Sequence, residues 1–197
     1  MPSNIQYEIP TWNQIYDMLL SQAQKIQAAP YTPDVVAAVA RGGLIPARIH
    51  LDLLGTGEFA MIQVEFYTGI GQVKAEPTLK QGLTTQIGGK KVLLVDDIAD
   101  TGRSLRYAAG YLQSQGVAEI KSATLYCKPQ STVKPDFYEK ETANWVIFPW
   151  DARETLREIL QKQQGKRQGN QEIAKLIKSG LPKQLVDKLL NGLQQEP

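Results

Sequence analysis

The sequence predicts an α/β protein built on an open, mostly parallel sheet flanked by helices. Three observations carry this. Short apolar runs at Val35 to Ala40, about Ala60 to Phe66, Lys91 to Val95 and Ile120 to Tyr126 alternate with helix-length amphipathic stretches. Val92-Leu93-Leu94-Val95 is apolar at every position, as a strand buried on both faces must be. Glycines stand where a strand gives way to a helix or a helix must stop, at Gly42-Gly43, Gly55 and Gly116. Strands and helices alternating at this spacing form right-handed crossovers.

Residues 5 to 10 read as a short extended piece ended by Pro10. Thr11 and Gln14 make a capping box. Trp12, Ile15, Tyr16, Leu19, Leu20, Ala23 and Ile26 then recur at helical spacing, and the helix should stop near Ala28, before Pro30 and Pro33. Leu44 to Leu54 is the second helix. The stretch from Tyr67 to Gly89 is rich in Gly, Thr, Lys and Gln without a sustained period, and is expected to hold a mobile loop. Ser104 to Gln115 is a helix, Trp145 to Phe148 a short apolar piece and Ala152 to Gln163 a further helix. Gln163 to Gln171 is polar and glycine-containing, hence a linker, and two amphipathic segments follow at Gln171 to Lys178 and Pro182 to Leu190. From Gln161 onward seven Lys or Arg stand against three acids. That balance suits a solvated helical hairpin docked on its own domain better than a surface for a phosphate backbone.

Composition excludes several classes. With 197 residues, 42% hydrophobic and 21% charged, the chain can bury one full core. Its net charge of +2 argues neither for nor against a nucleic-acid surface. Cys127 is the only cysteine, which rules out an intramolecular disulfide and thiolate metal clusters. His50 is the only histidine, so a Ser-His-Asp triad or an imidazole zinc site would have to use it; late in an apolar helical stretch, it reads as a helix-surface residue. No run approaches the roughly 18 apolar residues of a membrane span, and Met1 to Pro10 lacks the pattern of a signal peptide. The expected location is the cytoplasm, with no membrane partner.

The chemistry concentrates in Val92-Leu93-Leu94-Val95-Asp96-Asp97-Ile98-Ala99-Asp100-Thr101-Gly102-Arg103-Ser104. Ligands of open parallel sheets bind beyond the carboxyl ends of the strands. Asp96 and Asp97 stand at such an end, and the turn after them presents backbone N–H groups together with those of the next helix's first turn. Thr101 and Ser104 add hydroxyl donors, and Gly102 permits close backbone approach. Such a loop suits a phosphate, while paired carboxylates suit sugar hydroxyls or a hydrated magnesium ion. Capping alone needs one acid and leaves Asp100 unexplained. The loop lacks the Gly-Lys-Ser/Thr end of a Walker A motif and the three spaced glycines of a dinucleotide fingerprint.

Val92 to Ser104 resembles the signature of type I phosphoribosyltransferases. The resemblance implies that Asp96 and Asp97 bind the two ribose hydroxyls of phosphoribosyl pyrophosphate, with magnesium nearby, and that Asp100, Thr101, Gly102, Arg103 and Ser104 wrap its 5-phosphate. It makes Arg41, Gly42 and Gly43 the pyrophosphate loop, which in relatives can carry a cis peptide, and Asp100 the group that accepts or steadies a proton on the base. Cys127-Lys128-Pro129 and the segment from Trp145 to Asp151 resemble the bacterial and archaeal guanine/xanthine/hypoxanthine phosphoribosyltransferases. On that likeness Lys128 donates to a 6-oxo group, Trp145 stacks on the base, and groups from Val146 to Asp151 read its edge. The residues themselves also suit a solvated lysine at 128 and a core tryptophan at 145, and Trp150 suits packing. Ile147 stands where the bacterial xanthine-guanine relatives have an acid, and Ser104 where they have threonine, so the choice among the three bases stays open.

The likeness runs from about Tyr7 to Asp151. It implies a phosphoribosyltransferase domain with a small hood over residues 1–163, and leaves 164–197 as a helical C-terminal extension without a role. The implied function is transfer of the phosphoribosyl group to a 6-oxopurine in purine salvage, by a dimer or tetramer. Two other readings compete: a nucleotide-sensing regulatory protein of the same fold that binds RNA or DNA, and a phosphoribosyltransferase for adenine or a pyrimidine. A synthetase for the activated sugar needs a second such domain, for which the chain is too short.

Overall fold

The computed structural model of the protein describes residues 6–67, 76–162 and 166–194. The chain divides into two compact units, Tyr16–Ala143 and the pair Met1–Ile15 with Asn144–Pro197.

The larger unit is a six-stranded sheet. Its strands are β2 (Val35–Ala40), β3 (Glu58–Tyr67), β4 (Glu76–Gln81), β5 (Lys91–Ala99), β6 (Glu119–Cys127) and β7 (Phe137–Glu141), in the order β4-β3-β2-β5-β6-β7. All neighbours are parallel except β3 and β4. The helices are the long part of α1 (Trp12–Ala28, which starts in the other unit), α2 (Leu44–Leu54) and α3 (Arg103–Ser114). Alternation of side chains explains why the central strands are apolar throughout. Val35, Ala37 and Val39, with Val92 and Leu94, pack against Leu105, Ala108 and Leu112 of α3. Val36, Ala38, Leu93 and Val95 face the opposite way, onto Ile26 of α1 and Ala47 of α2.

Two edge strands and a buried histidine depart from expectation. The stretch taken as irregular contains β4, paired antiparallel with β3, and β7 forms the other edge beside β6. The outer face of β4 is covered in part by α3, where the Tyr107 hydroxyl accepts from the Leu79 N–H at 3.1 Å. Residues 68–75 of the stretch expected to hold a mobile loop lie outside the described residues. His50 is not on the surface. It shares the buried face of α2 with Pro46 and Ala47, and its Nε2 lies 2.7 Å from Gln22 Oε1. Gln22 Nε2 donates to the carbonyl oxygens of Thr124 at 2.8 Å and Phe137 at 3.3 Å, so its oxygen is the acceptor for the imidazole N–H. The histidine thus ties α2 to α1 and to two strands, and burial lowers its pKa to about 4.

The smaller unit holds a two-stranded parallel pair, β1 (Tyr7–Glu8) with β8 (Trp145–Val146), and the helices α4 (Ala152–Lys162), α5 (Lys166–Lys178) and α6 (Lys183–Gln194). The capping box at the start of α1 forms as expected, with Gln14 N–H donating to Thr11 Oγ1 at 3.2 Å and Thr11 N–H to Gln14 Oε1 at 2.8 Å. Of the stretch expected to be a polar linker, the part from Lys166 onward is helical, since α5 begins there. The three helices share one core with the strand pair: Ile147, Ala152, Leu156, Ile159, Leu176, Leu181 and Val186, with Tyr7 and Ile9 packed against it. Among the described residues no helix is long and apolar enough to cross a membrane.

Candidate active site

The sheet changes winding direction between β2 and β5. From β2 the chain moves through α2 to β3 on one side, and from β5 through α3 to β6 on the other. A crevice opens at the carboxyl ends of strands at such a switch point. Pairing of β2 with β5 ends at Ala38–Val95, while β5 runs on to Ala99. Asp96 and Asp97 therefore stand beyond the shared ladder, at the crevice itself, and both are largely buried. Asp96 Oδ1 accepts from the Asp97 N–H at 3.0 Å, which fixes the pair relative to each other.

The Arg41-Gly42-Gly43 loop leaves β2 on the other side of this crevice, and the Ala40–Arg41 peptide is cis. A methyl group on Gly42 would lie 2.6 Å from the Asp97 carboxyl carbon. One on Gly43 would lie 2.8 Å from the Val39 carbonyl oxygen. Glycine is needed here because the two loops touch, not for an unusual φ. The sequence-predicted pyrophosphate loop and diol-binding acids are thus brought together.

The acidic loop then turns into α3 through Gly102, whose φ of 76° is left-handed. A Cβ here would also meet Val133 N at 2.7 Å and Ser131 Oγ at 2.8 Å. The close approach that Gly102 permits on this side is therefore that of the protein's own segment 131–133. Thr101 contributes its hydroxyl to the Arg103 N–H at 3.4 Å, and its carbonyl accepts from both the N–H of Thr132 at 3.1 Å and its hydroxyl at 2.9 Å. Arg106 Nη2 donates to the Thr132 carbonyl at 3.1 Å. The next amides of the first turn, including that of Ser104, have no intrahelical carbonyl partners, and helix N-termini of this kind suit an anion.

Beyond Lys128 and Pro129, segment 130–133 is the part that the sequence did not single out. It backs the phosphate loop throughout, and Gln130 Nε2 donates to Asp100 Oδ1 at 2.9 Å. Thirty residues separate those partners, and no local pattern joins them. Lys128 itself is only 7% exposed, so it is not a solvated surface lysine. Its N–H donates to the Ala99 carbonyl at 2.9 Å, which anchors it beside the end of β5.

The remaining predicted residues belong to the smaller unit. Trp145 is 54% exposed, which removes core packing as its role. Its N–H donates to Gln6 O at 2.8 Å, and that of Ile147 to Glu8 O at 2.9 Å. Trp150 packs, stacked on Phe148 with centroids 4.8 Å apart and tilted against Trp12. Asp151 initiates α4: its carbonyl accepts from the Thr155 N–H at 2.9 Å, and its own N–H donates to Phe148 O at 3.0 Å. Val146 completes the short strand, half-buried.

Comparison with known proteins agrees with this geometry. The family model described as "Phosphoribosyl transferase domain" matches residues 8–155. A xanthine-guanine phosphoribosyltransferase of Gluconobacter oxydans is 32% identical over 154 residues, covering 76% of this chain and 88% of that protein. One from Nitratidesulfovibrio vulgaris is 30% identical over 145 residues, covering 72% and 83%. The crystal structure of a purine phosphoribosyltransferase from Pyrococcus horikoshii superposes with a TM-score of 0.68 at 36% identity, over 74% of this chain and 94% of that one. The sheet order, the acidic loop on its central strand and a family match over most of the chain together make this protein a member of the phosphoribosyl transferase family, with the type I fold and close to the xanthine-guanine and hypoxanthine enzymes.

Proposed function

We propose that the protein transfers the 5-phosphoribosyl group of phosphoribosyl pyrophosphate to guanine, xanthine or hypoxanthine, releasing pyrophosphate. The observation that carries this is the packing of Gly42 against the Asp97 carboxylate. It sets a loop suited to a leaving pyrophosphate directly against acids suited to a ribose diol. Lys128, buried and anchored by its backbone beside the end of β5, is a donor that favours an oxo group over an exocyclic amine on the base. The name of the Gluconobacter relative, a xanthine-guanine enzyme, points the same way, and that of the Pyrococcus relative supports a purine.

In this reading a purine ring nitrogen attacks the anomeric carbon as its bond to the pyrophosphate oxygen breaks. Positive charge develops on the ribose and negative charge on the leaving group. The protein's contribution is alignment and charge stabilisation. Asp96 and Asp97 hold the diol, the turn from Asp100 to Ser104 holds the 5-phosphate, and Arg41 with the amides of Gly42 and Gly43 holds the pyrophosphate. Asp100, kept in place by Gln130, accepts or steadies the proton on the base's other five-ring nitrogen. Lys128 offsets negative character on the 6-oxo oxygen, while Trp145 and the groups from Val146 to Asp151 are assigned to the base.

Magnesium is part of the proposal. Among the described residues no three acid, histidine or cysteine side chains cluster as a cage. The adjacent Asp96 and Asp97 carboxylates fit an ion that keeps water and substrate oxygens as most of its ligands. When bound, it neutralises charge on the departing pyrophosphate. A dimer or tetramer is included on the resemblance alone.

The test is an assay with labelled phosphoribosyl pyrophosphate and magnesium against guanine, xanthine, hypoxanthine, adenine and uracil. Nucleotide and pyrophosphate should form with one or more 6-oxopurines. Turnover confined to adenine or uracil would refute the base assignment, and no turnover with any base would favour a regulatory role.

A further inference from the structure

The two strands that carry Trp145 are too short to hold themselves. β1 and β8 contribute two residues each, joined in register Tyr7–Trp145 and Glu8–Val146. A pair of that length has no independent stability in water. Trp145 is more than half exposed, so its position is set by the backbone that bears it rather than by packing of its ring. Whatever fixes β1 therefore fixes Trp145.

Packing and a side-chain hydrogen bond both anchor β1. Tyr7 and Ile9 pack on the core shared by Ile147 and the three C-terminal helices. The Tyr7 hydroxyl also donates a short hydrogen bond to the Glu172 carboxylate of α5. Glu172 is 8% exposed and accepts a second bond from Lys175 Nζ at 3.1 Å. Burial pushes its pKa up, but the bonds from Tyr7 and Lys175 and the lysine's charge outweigh this and leave it below the usual range. Burial, then the bond to the charged Glu172, pushes the Tyr7 phenol up. Both groups thus stay in the states that the bond requires, a protonated phenol and an ionised carboxylate. A bond of this charge-assisted kind is about twice as strong as a neutral one. Glu172 and Lys175 lie beyond residue 155, where the family match ends.

From this juxtaposition we infer that the C-terminal extension is a positioning device for base recognition. Glu172 holds Tyr7, Tyr7 holds β1, and β1 holds the strand that presents Trp145 and Val146. Glu172 and Tyr7 are positioning residues and touch no substrate. The inference rests on the assignment of Trp145 to the base made above.

The experiment compares the full-length protein with Tyr7→Phe, Glu172→Ala, Glu172→Gln and Trp145→Ala. Tyr7→Phe removes one oxygen and keeps the ring in its core, so it folds. Two readouts separate the inference from the reading beneath it. Hydrogen exchange of the Trp145 and Ile147 amides, which donate to Gln6 and Glu8 on either side of Tyr7, should speed up in Tyr7→Phe and Glu172→Ala, and less in Glu172→Gln, which keeps a carbonyl acceptor. KM for the 6-oxopurine should rise about 3- to 10-fold in the first two, with kcat and KM for phosphoribosyl pyrophosphate changed by less than about twofold. Unchanged amide exchange overturns the inference whatever the base site proves to be. Faster exchange with an unchanged base KM overturns it too, provided Trp145→Ala raises that KM. A Trp145→Ala protein with normal base KM instead removes the base assignment, and the positioning role falls with it.

Discussion

The crevice between β2 and β5 and the β1–β8 pair each hold a few polar groups in place, and they do so by opposite means. At the crevice the groups grow directly out of two neighbouring strands buried on both faces, and the loops press so closely that only glycine fits at residue 42. At the strand pair, residues far apart in sequence meet through backbone bonds, the Tyr7–Glu172 clasp and the packing of Tyr7 and Ile9 on the helical core. The first region is rigid by immersion in the core. The second rests on a strand pair of two residues each, whose β1 is anchored by one side-chain clasp and by packing at Tyr7 and Ile9. Substitutions at the crevice should therefore act on the chemical step, and substitutions at the chain ends on affinity.

The largest effect tests the crevice. Asp100→Asn keeps an oxygen to accept the Gln130 amide and removes only the carboxylate. Turnover should fall by about 10²- to 10⁴-fold while phosphoribosyl pyrophosphate binds as before, measured by steady-state kinetics and by calorimetry. Normal turnover at saturating substrate would take Asp100 out of the chemistry. Lys128→Ala comes next. Lys128 follows the end of β6, is buried, and is anchored through its backbone N–H to Ala99 of β5. Its loss should lower kcat/KM for a 6-oxopurine by about 10- to 100-fold, and for adenine by much less. Equal loss on both would make Lys128 a general support of the crevice rather than a reader of the oxo group.

The same contrast decides what could be read from the sequence. The phosphate loop was legible because all its parts lie within one uninterrupted run from Val92 to Ser104, and the central strands because both their faces are buried. The edge strands β4 and β7 were not. Glu76–Gln81 and Phe137–Glu141 are polar, half solvated, and become strands only by pairing with a neighbour that the sequence does not point to. His50 went to the wrong face because a polar side chain reads as surface unless its partner is known, and Gln22 lies 28 residues away on another helix. Its spacing from Ala47 and Pro46, three and four residues back, was the available signal. Gln130 and the Tyr7–Glu172 clasp share that difficulty, with partners 30 and 165 residues apart.

His50 also offers a probe of the larger unit alone, since the chain has no other histidine. Its imidazole donates to Gln22 through Nε2, and the buried Nδ1 has no hydrogen-bond partner, so a second proton there would be an unsatisfied buried charge. The folded pKa is about 4 against an ordinary value of 6.5. The unfolded chain therefore takes up its proton first as pH falls, and stability present above pH 6.5 is lost progressively toward pH 4. By pH 5 the loss should be about 2 kcal/mol, read from urea melts at pH 7.5 and pH 5. In His50→Asn this slope should vanish. A wild-type protein equally stable at both pH values would mean that the imidazole is open to water.

The smallest effect gives the sharpest separation of the two regions. Gly110 in α3 and Gly192 in α6 lie in helices, and a methyl group on either meets nothing within 4 Å. Alanine at each should stabilise its helix by about 0.5–1 kcal/mol, through backbone freedom removed from the unfolded chain. One substitution belongs to the crevice-bearing unit and the other to the unit that presents Trp145. If the smaller unit is the more loosely held, Gly192→Ala should slow exchange of the Trp145 and Ile147 amides, while Gly110→Ala should leave them unchanged and raise only the global melting midpoint. Equal slowing by both would show that these amides open only when the whole protein unfolds, and the strand pair would then be as firmly held as the crevice.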